Sequence, residues 1–417
     1  MISEPDVVIV GAGAAGIGAA RRLADRGLSI VMLESMPRIG GRALTEKTPV
    51  GPLDLGCGWL HSASRNPWTT IADQAGYGIV RGESAWDKPF EGRGFSPAEQ
   101  GEARRSFNEW AERINGAPPA SDRASDALDL DGRWTAYLQA MSGFINGDEL
   151  ERVSAEDYGR YDAASTGQNW RVPEGYGALI SGSLPKHNVQ LLLSTPLTKL
   201  DLRERRPKLE TDKGVLRPLA AIMTVSTAVL SGNAVTWPTE LSSWREAATH
   251  LPLGNNEKLF LEIKGKSPFA PETRALGDAR DPKTGVFYIR PFGRPVVECF
   301  LGGAGARAAA MHGHDAAFAN AIDQLVSLFG SSIRKTIDPL VASDWTRAPS
   351  IGGAYSHALP GSAGARRSLA RDFDQRIFFA GEATDLADFS TAHGAYNSGI
   401  RAADEALSAV LAQVRAR

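Results

Sequence analysis

Three glycines and one acidic residue near the start of the chain have the spacing of a phosphate-binding turn. Gly11, Gly13 and Gly16 form a G-x-G-x-x-G pattern, and Glu34 follows 18 positions after Gly16. The first glycine of such a pattern permits a tight turn, the second lets the backbone approach a pyrophosphate, and the third lets a helix pack closely on a strand. A carboxylate at the position of Glu34 can accept hydrogen bonds from ribose hydroxyl groups. These residues predict that the chain binds a dinucleotide.

The segments around this turn have the patterns of a strand, a helix and a second strand. A β-branched run at residues 6–10 is typical of a strand that is buried on both faces. The spacing predicts a helix at 17–26 and a second buried strand at 29–33, which ends at the acidic residue. The N-terminus of the helix offers backbone N–H groups and a partial positive charge to a phosphate. Ala14 and Ala15 lie within the turn, and we expect them to contact the cofactor.

The composition of the chain excludes several other classes of protein. Its 417 residues carry a formal net charge of −2, which does not predict binding to nucleic acid or to an acidic membrane. Two cysteines are too few for a disulfide framework or a cysteine-rich metal site. The longest apolar stretch, at 7–20, is too short to span a bilayer, and no positively charged region precedes it as in a signal peptide. We therefore expect a cytoplasmic protein without a metal, a membrane or a nucleic-acid partner.

Two further motifs decide which dinucleotide the turn binds. Residues 38–42 read RIGGR, and residues 53–61 read LDLGCGWLH. Together they resemble the flavin-containing amine oxidase family, which includes monoamine oxidases, polyamine oxidases and histone lysine demethylases. The pattern of that family is R-x-G-G-R, then D-x-G followed by a tryptophan. The resemblance implies that the cofactor is FAD.

The resemblance also implies cofactor contacts along most of the chain. The RIGGR glycines and last arginine line the pyrophosphate and the edge of the isoalloxazine ring, and the segment at 196–197 lies on the adenine side. The turn at 380–382 reaches the ribityl and pyrophosphate groups. A helix that begins near residue 394 directs its N-terminus to the flavin O2 and N1 atoms, where negative charge develops on reduction. The implied cofactor-binding residues are Gly40, Gly41, Arg42, Gly58, Trp59, Leu197, Trp345, Gly381, Glu382, His393, Gly394 and Ala395.

A lysine in the second half of the chain is the strongest candidate for a catalytic residue. Leu259, Leu261 and Ile263 alternate along one face of a predicted strand and place Lys258 on the other face. The family has a lysine at the start of this strand, within a G-x-x-x-K spacing that Gly254 and Lys258 match. In the family that lysine holds a water molecule against flavin N5.

The residues expected around the substrate depart from the family in two places. Monoamine oxidases bond the flavin to a cysteine at the position of Ala354, so we expect non-covalent FAD. Those enzymes also hold the amine between two tyrosines, of which Tyr355 matches one while Ala395 stands at the other. Thr391 occupies a nearby position that is aromatic in some polyamine oxidases. His61 falls within a cofactor-lining motif and is a further candidate pocket residue.

The resemblance implies an α/β fold. A Rossmann-like FAD-binding domain of the GR2 type contains an inserted α+β substrate-binding domain. We expect the FAD-binding domain to be assembled from residues 1–80, 172–252 and 341–417. The substrate-binding domain then takes residues 81–171 and 253–340.

Helical patterns fill most of the first insert. Ser96, Pro97 and Glu99 form the start signal of a helix, with an N-cap serine and a proline at the first helical position. Further helices are predicted at 121–130 and 134–145. In the second insert, we expect a helix at about 315–329 to pack on a sheet, and we interpret the nearby His312 and His314 as the start of that helix and not as metal ligands.

The resemblance predicts oxidation of a small-molecule amine. A hydride passes from the amine to flavin N5, the imine is hydrolysed to an aldehyde or ketone, and O2 reoxidises the flavin to give hydrogen peroxide. Two alternatives stay open: a desaturase or isomerase of the carotenoid or protoporphyrinogen type, and a flavoprotein without turnover. The position of Lys258 argues against the first, and the intact motifs at both ends argue against the second. The sequence does not define the amine or the oligomeric state.

Overall fold

The computed structural model describes residues 3–82, 88–129 and 131–415. The strands, in chain order, are β1 (Val7–Val10), β2 (Ile30–Leu33), β3 (Thr45–Thr48), β4 (Gly51–Asp54), β5 (Val189–Leu192), β6 (Leu197–Asp201), β7 (Lys208–Thr211), β8 (Gly214–Leu216), β9 (Ala220–Met223), β10 (Asn256–Ile263), β11 (Thr273–Leu276), β12 (Val286–Ile289), β13 (Val296–Gly302), β14 (Ile337–Ala342) and β15 (Ile377–Phe379).

Helices connect these strands and cover the sheets that they form. They are α1 (Ala14–Leu23), α2 (Pro67–Ala75), α3 (Pro97–Gly116), α4 (Thr135–Asn146), α5 (Ala155–Ala164), α6 (Tyr176–Gly182), α7 (Thr227–Ser231), α8 (Ser242–Thr249), α9 (Gly303–His312), α10 (His314–Phe329), α11 (Ala365–Leu369) and α12 (Ala392–Arg415).

A parallel sheet with the strand order β15-β9-β1-β2-β5 organises the first half of the fold. Val7 and Ile9 of β1 face α1 and α12, whereas Val8 and Val10 face a second apolar layer that includes β6, β7 and α8. Because both faces are covered, β1 is apolar throughout, as the sequence predicts. The chain leaves β1 for β2 on one side and returns to β9 on the other, so a crevice opens beyond the carboxyl ends of these strands. The predicted α/β fold with a Rossmann-like unit is confirmed.

Close packing between α1 and α12 closes one face of this sheet. A Cβ atom at Gly18 would lie 2.5 Å from the carbonyl oxygen of Tyr396, and one at Gly399 would lie 2.0 Å from that of Ala15. Only glycine fits at these distances, because a real Cβ atom does not approach a carbonyl oxygen so closely. The two helices therefore touch through their backbones, although they stand at opposite ends of the sequence.

An antiparallel sheet with the order β11-β12-β13-β10-β14 forms the second half of the fold. Leu259, Leu261 and Ile263 of β10 lie on its apolar face, which packs against α9 and α10. Lys258 and Phe260 alternate with these residues and point to the opposite face. Phe260 packs there in a cluster with Leu53 of β4 and with Leu55, which follows that strand.

The first insert is helical, as predicted, and its first helix begins with the expected cap. The Ser96 hydroxyl oxygen accepts a hydrogen bond from the Glu99 backbone N–H, and the Glu99 side chain accepts one from Ser96 in return. Trp110, Leu138 and Tyr158, one from each of the three helices α3, α4 and α5, join a single apolar cluster. The same cluster includes Leu276 of β11 and Val286 of β12, so the helical insert shares its apolar core with the antiparallel sheet.

Several predicted element boundaries were wrong. Helix α1 begins at Ala14 and not at residue 17, because the glycine turn is itself tight enough to start the helix. The helix predicted at 121–130 is a short 3₁₀ helix at Ala124–Ala127, and residue 130 lies outside the described residues. The sequence analysis missed α9, whose glycines and alanines carry no strong periodicity, and His312 therefore ends a helix instead of starting one. Helix α12 begins at Ala392, two residues before the predicted start.

The described part of the chain contains neither a membrane-spanning helix nor a group of side chains suited to a metal ion. Within residues 3–82, 88–129 and 131–415, no helix is both long and apolar enough to cross a bilayer. In the same part of the chain, no three side chains of His, Cys, Asp or Glu are grouped so that they could hold a metal ion.

Candidate active site

The turn after β1 presents its backbone to the crevice. Gly11 has a φ of +109°, and a Cβ atom at Gly16 would lie 2.0 Å from the Gly11 carbonyl oxygen. The positive φ and the short distance explain why both positions are glycine. The first N–H groups of α1 point out of this turn, because a helix leaves its first four donors without an intrahelical acceptor. Ala14 and Ala15 supply two of them.

The RIGGR segment lies directly against this turn. The Gly40 N–H donates a hydrogen bond of 2.8 Å to the Ala12 carbonyl, and Gly13 and Gly40 form a parallel β-bridge. A Cβ atom at Gly13 would lie only 3.8 Å from the Gly41 Cα. Because both segments have glycines here, the groove between them is lined by backbone. The side chain of any other residue type at these positions would extend into the groove.

Glu34 lies at the carboxyl end of β2, beside the same groove. One of its carboxylate oxygens accepts a hydrogen bond of 2.8 Å from the Ala12 N–H, and the other accepts one of 2.8 Å from the Met36 N–H. The side chain is buried. Its carbonyl oxygen accepts from the Thr195 N–H, so the strand that begins at Leu197 starts close to Glu34.

Arg42 and Glu382 bring the other end of the chain to the groove. Arg42 donates to Glu382 Oε1 at 3.0 Å and to the carbonyl oxygen of Ala354. Burial disfavours the charged form of Glu382, but Arg42 and Arg366 together hold the pKa of this carboxyl below its usual range. Glu382 therefore stays ionised at neutral pH, and Arg42 beside it is partly exposed.

A cleft beyond the carboxyl ends of β9 and β15 continues this groove. Its lining includes Arg42, Ser226, Gly381 and Glu382. Gly381 has a φ of +135°, and a Cβ atom there would meet nothing within 4 Å. Backbone-lined space, helix N–H groups and a fixed guanidinium are the groups that a pyrophosphate requires. The residues present fit FAD.

Lys258 lies on the inner face of the antiparallel sheet and is buried. Its Nζ atom donates a hydrogen bond of 3.0 Å to the Asp54 carbonyl and lies 3.0 Å from Glu298 Oε1. A Cβ atom at Gly58 would lie 3.3 Å from this Nζ atom. The structure thus brings together the two motifs that the sequence places 200 positions apart.

Asp54, whose carbonyl accepts the hydrogen bond from Lys258, is itself held in place through its side chain. Its carboxylate accepts hydrogen bonds from the N–H groups of Tyr176 and Gly177, at the start of α6. Burial raises the pKa of the Asp54 carboxyl, and these hydrogen bonds oppose the rise. The side chain therefore ties β4 to α6, while the carbonyl of the same residue receives the lysine.

Trp59 extends the site toward the substrate side. Its ring lies 5.9 Å from the ring of Tyr288 and 5.0 Å from the Arg171 guanidinium. Tyr288 belongs to β12, next to β13 in the sheet, and burial raises its pKa to about 12. Tyr288 pairs with Glu298 of β13, so these aromatic rings lie on the same face of the sheet as Glu298.

Two histidines lie together on the opposite side of the site. The Nδ1 atom of His61 lies 2.6 Å from Asn169 Oδ1, and burial lowers the pKa of His61 to about 4. His393 Nε2 lies 3.1 Å from Asp388 Oδ1. Burial disfavours the charged form of Asp388, but His393 and Arg65 hold the pKa of that carboxyl below its usual range. His61 is therefore neutral at physiological pH, and the ionised Asp388 carboxylate lies beside His393.

Tyr355 is the predicted aromatic residue at the substrate position. Its hydroxyl donates to the Phe144 carbonyl at the end of α4, and burial raises its pKa, with nearby Tyr161 adding to the rise. The ring of Tyr161, from α5, lies 5.5 Å from that of Phe389. The sequence analysis missed Tyr161, since α5 carries no family motif. Tyr161 therefore lies near Tyr355, the aromatic residue that the sequence predicts at the substrate position.

Thr391 has a structural role that the sequence analysis did not foresee. Its hydroxyl donates to the Asp388 carbonyl at 2.6 Å and accepts from the Gly394 N–H at 3.0 Å, so it caps α12. A Cβ atom at Gly394 would lie 2.0 Å from the Asp388 carbonyl oxygen, which explains that glycine by packing. Ala395 packs against the α1–α12 layer.

Trp345 and Leu197 lie in the apolar surroundings of the groove. Trp345 is buried beside Leu53 and Leu55, and its indole N–H donates to the Leu55 carbonyl at 3.0 Å. Leu197 is buried in the cluster below β1 and β2. Both residues support the glycine-rich segments, and direct contact with the cofactor stays a prediction for each.

A Rossmann-like turn, a cleft suited to FAD and a buried lysine beside it define a flavin-dependent oxidoreductase. Residues 9–75 match the model of an NAD(P)-binding Rossmann-like domain, and residues 84–407 match that of the flavin containing amine oxidoreductases. The second match spans most of the chain. This chain belongs to the flavin containing amine oxidoreductase family and is an FAD-dependent amine oxidase.

Individual relatives cover nearly the whole chain at low identity. Polyamine oxidase 2 of Arabidopsis thaliana is 25% identical over 451 residues, which are 98% of this chain and 89% of the relative. Polyamine oxidase 4 of Oryza sativa subsp. japonica is 24% identical over 448 residues, with 99% and 90% covered. The solved structure of wild-type putrescine oxidase bound to putrescine shares the fold, with a TM-score of 0.75, 18% identity and 99% of both chains covered.

Proposed function

We propose that this enzyme oxidises small aliphatic diamines or polyamines and passes the electrons to O2. The observation that carries the proposal is the buried Lys258 ammonium, held between the Asp54 carbonyl and Glu298 beside the FAD cleft. The relatives named polyamine oxidase and the fold shared with putrescine oxidase support an aliphatic amine. The absence of a tyrosine at residue 395 argues in the same direction, since an arylalkylamine would lose one stacking partner.

When bound, FAD supplies the acceptor for a hydride from the carbon next to the amine nitrogen. The protein has to position the amine and keep it neutral. Tyr355, Tyr161 and Trp59 supply apolar ring surface, which favours the neutral form of an amine by desolvation. His61 is neutral at physiological pH and adds no positive charge against the substrate. Lys258 can hold a water molecule with an N–H that does not donate to the Asp54 carbonyl, since an ammonium has three donors.

We also propose the division into two domains that the sequence analysis predicts. The parallel sheet takes β1 and β2 from residues 1–80, β5 and β9 from 172–252, and β15 from 341–417. Helices α3 to α5 lie within 81–171, and strands β10 to β13 lie within 253–340. These memberships support the division, although β14 crosses its last boundary.

A peroxide assay over a panel of amines tests the substrate class. We expect putrescine, spermidine or spermine to yield hydrogen peroxide faster than benzylamine or phenylethylamine does. Faster turnover of the aromatic amines would contradict the aliphatic assignment. Flavin reduction by an amine without peroxide formation in air would contradict O2 as the acceptor.

The variant Lys258→Met tests the role of the lysine. Methionine keeps most of the apolar stem but removes the charge and the donors. We expect a bound FAD content like that of the wild type, with turnover lower by about tenfold or more, which corresponds to about 1.4 kcal/mol of barrier. The matched control is Lys264→Met, because Lys264 directly follows the same strand and is largely exposed. Equal rates of flavin reduction and reoxidation in both variants would show that Lys258 takes no part in the reaction.

A further inference from the structure

The carboxylate of Glu298 lies inside the candidate active site, where no family motif predicts an acidic residue. Glu298 is on β13, diagonally across from Lys258 on β10, since Lys258 pairs with Phe300 and Glu298 pairs with Phe260. Both side chains therefore point to the inner face of the sheet. Glu298 Oε1 lies 3.0 Å from Lys258 Nζ, and the two side chains are only 17% and 10% exposed.

We propose that Glu298 is a positioning residue that holds the Lys258 ammonium in the orientation that the reaction requires. This inference rests on the function proposed above, in which Lys258 holds a water molecule at the flavin. A lysine side chain has four rotatable carbon–carbon bonds, so a single acceptor does not fix the direction of its donors. The Asp54 carbonyl accepts a hydrogen bond from the ammonium, and the Glu298 carboxylate forms an ion pair with it at 3.0 Å. The hydrogen bond sets the direction of one N–H group and the ion pair attracts the nitrogen toward Glu298, so the two contacts together restrict the orientation of the ammonium.

The charge of Glu298 has a second effect on the site. A buried ammonium without a counter-ion is strongly disfavoured, because it loses its hydration and gains nothing in return. Glu298 balances this charge. The Lys258 ammonium therefore supplies a hydrogen-bond donor to the site, while the Lys258–Glu298 pair has no net charge. A cationic amine that approaches the site is then not repelled by the lysine. The same balance means that the Glu298 carboxylate is already paired and is not an anchor for a second ammonium of the substrate.

The reoxidation of the flavin without any amine tests this role. The wild type and the variants Glu298→Gln, Glu298→Leu, Lys258→Met and Lys258→Met/Glu298→Leu are reduced photochemically. Each is then mixed rapidly with O2, so that two electrons and two protons pass from the reduced flavin to O2 and give hydrogen peroxide. We expect Glu298→Leu to reoxidise about tenfold more slowly than the wild type, and Glu298→Gln to fall between them, because the amide keeps an acceptor oxygen but loses the charge. The double variant should match Lys258→Met, since Glu298 acts through the lysine.

Thermal unfolding of the FAD-free proteins gives a readout that does not depend on the reaction. Glu298→Leu should lower the melting temperature because it leaves the ammonium buried and unpaired. The double variant should recover most of that loss, since it replaces both charges by apolar groups. Glu262→Gln, on the inner face of the same sheet, is the matched control and should change neither the melting temperature nor the reoxidation rate.

Three results would overturn the proposal. The first is a wild-type rate of reoxidation in Glu298→Leu. The second is a double variant whose reoxidation rate falls by the product of the two single-variant factors. The third is a Glu298→Leu variant in which an increase in KM for the amine is the only change. If Glu298→Leu does not fold, Glu298→Gln decides, because it has the same shape as the native side chain. Failure of the wild type to oxidise any amine would count against the proposed function alone, since photochemical reduction needs no amine.

Discussion

Arg366 donates hydrogen bonds of 2.7 and 2.8 Å to the two carboxylate oxygens of Asp157. Neither side chain is more than 2% exposed. Arg366 also donates to the Ser356 hydroxyl, which in turn donates to Glu382 in the cofactor cleft. Since Asp157 belongs to α5, this network joins the helical insert to the segment that lines the FAD groove.

The variant Asp157→Asn should be strongly destabilised. It keeps the shape of the side chain but leaves the Arg366 guanidinium buried without a counter-ion, which typically costs about 3–5 kcal/mol. Urea unfolding measures the loss. The matched control is Asp404→Asn, which breaks the exposed pair between Arg22 and Asp404 and should cause a much smaller loss, because solvent screens that pair. Equal losses in the two variants would show that the buried pair adds nothing beyond a surface pair.

Two glycines of the first turn should respond differently to the same substitution. In Gly13→Ala the new methyl group would make ordinary contacts of 3.8 and 3.9 Å with Gly41 and Gly40, so the protein should fold. The methyl group would occupy the groove, and we expect FAD binding to weaken at least tenfold. In Gly16→Ala it would lie 2.0 Å from the Gly11 carbonyl, so folding itself should suffer. The flavin-to-protein absorbance ratio and the melting temperature separate the two effects, and a full FAD content in Gly13→Ala would contradict the placement of the cofactor.

The yellow protein should release its flavin on acid precipitation. Position 354, where a cysteine forms the flavin bond in monoamine oxidases, is Ala354, and an alanine side chain cannot form a thioether. Flavin absorbance should therefore appear in the supernatant after trichloroacetic acid treatment. Flavin that stays with the pellet would refute the non-covalent assignment.

The buried His61 should make the protein less stable in mild acid. Its pKa is about 4 in the folded state and near 6.5 in the unfolded state, so the unfolded chain binds the proton first as the pH falls. The contribution of neutral His61 to the free energy of unfolding is therefore complete above pH 6.5, and it decreases as the pH falls toward 4. One such group lowers the free energy of unfolding by at most about 1.4 kcal/mol per pH unit.

The variant His61→Gln should reduce this pH dependence. Urea unfolding at pH 5 and pH 7.5 would show a smaller difference for His61→Gln than for the wild type. The control is His187→Gln, at an exposed position outside the site. An identical pH dependence in all three proteins would mean that His61 takes up its proton at an ordinary pH.

Local patterns predicted the parts of the site that a short segment can define. The turn from Gly11 to Gly16 needs only its own strand and helix, and the alternation along β10 placed Lys258 on the correct face. Glu298 was missed because its partner lies 40 positions earlier, and only the register of β10 against β13 brings the two together. One signal was present, since Glu298 is the only charged residue in the apolar run of β13.

Some of the predicted site residues also have structural roles that the motifs did not indicate. Thr391 lies in a cofactor-lining segment, but its hydroxyl caps α12, and a threonine before a helix was the signal for that role. Gly394 was predicted to contact the cofactor, and the structure adds a packing reason for it, since a Cβ atom there would lie 2.0 Å from the Asp388 carbonyl oxygen. Tyr161 reaches the site from a helix whose sequence resembles no family motif, so only the tertiary fold could reveal it.

The contact between α1 and α12 also sets an order for the maturation of this chain during synthesis. The turn from Gly11 to Gly16 leaves the ribosome early, but the helix that covers α1 follows only after Gly381 and Glu382. Until then one apolar face of the nascent parallel sheet is exposed and the FAD cleft lacks a wall. We therefore expect FAD to bind only once α12 has been synthesised and packed, and we expect the unfinished chain to be prone to aggregation.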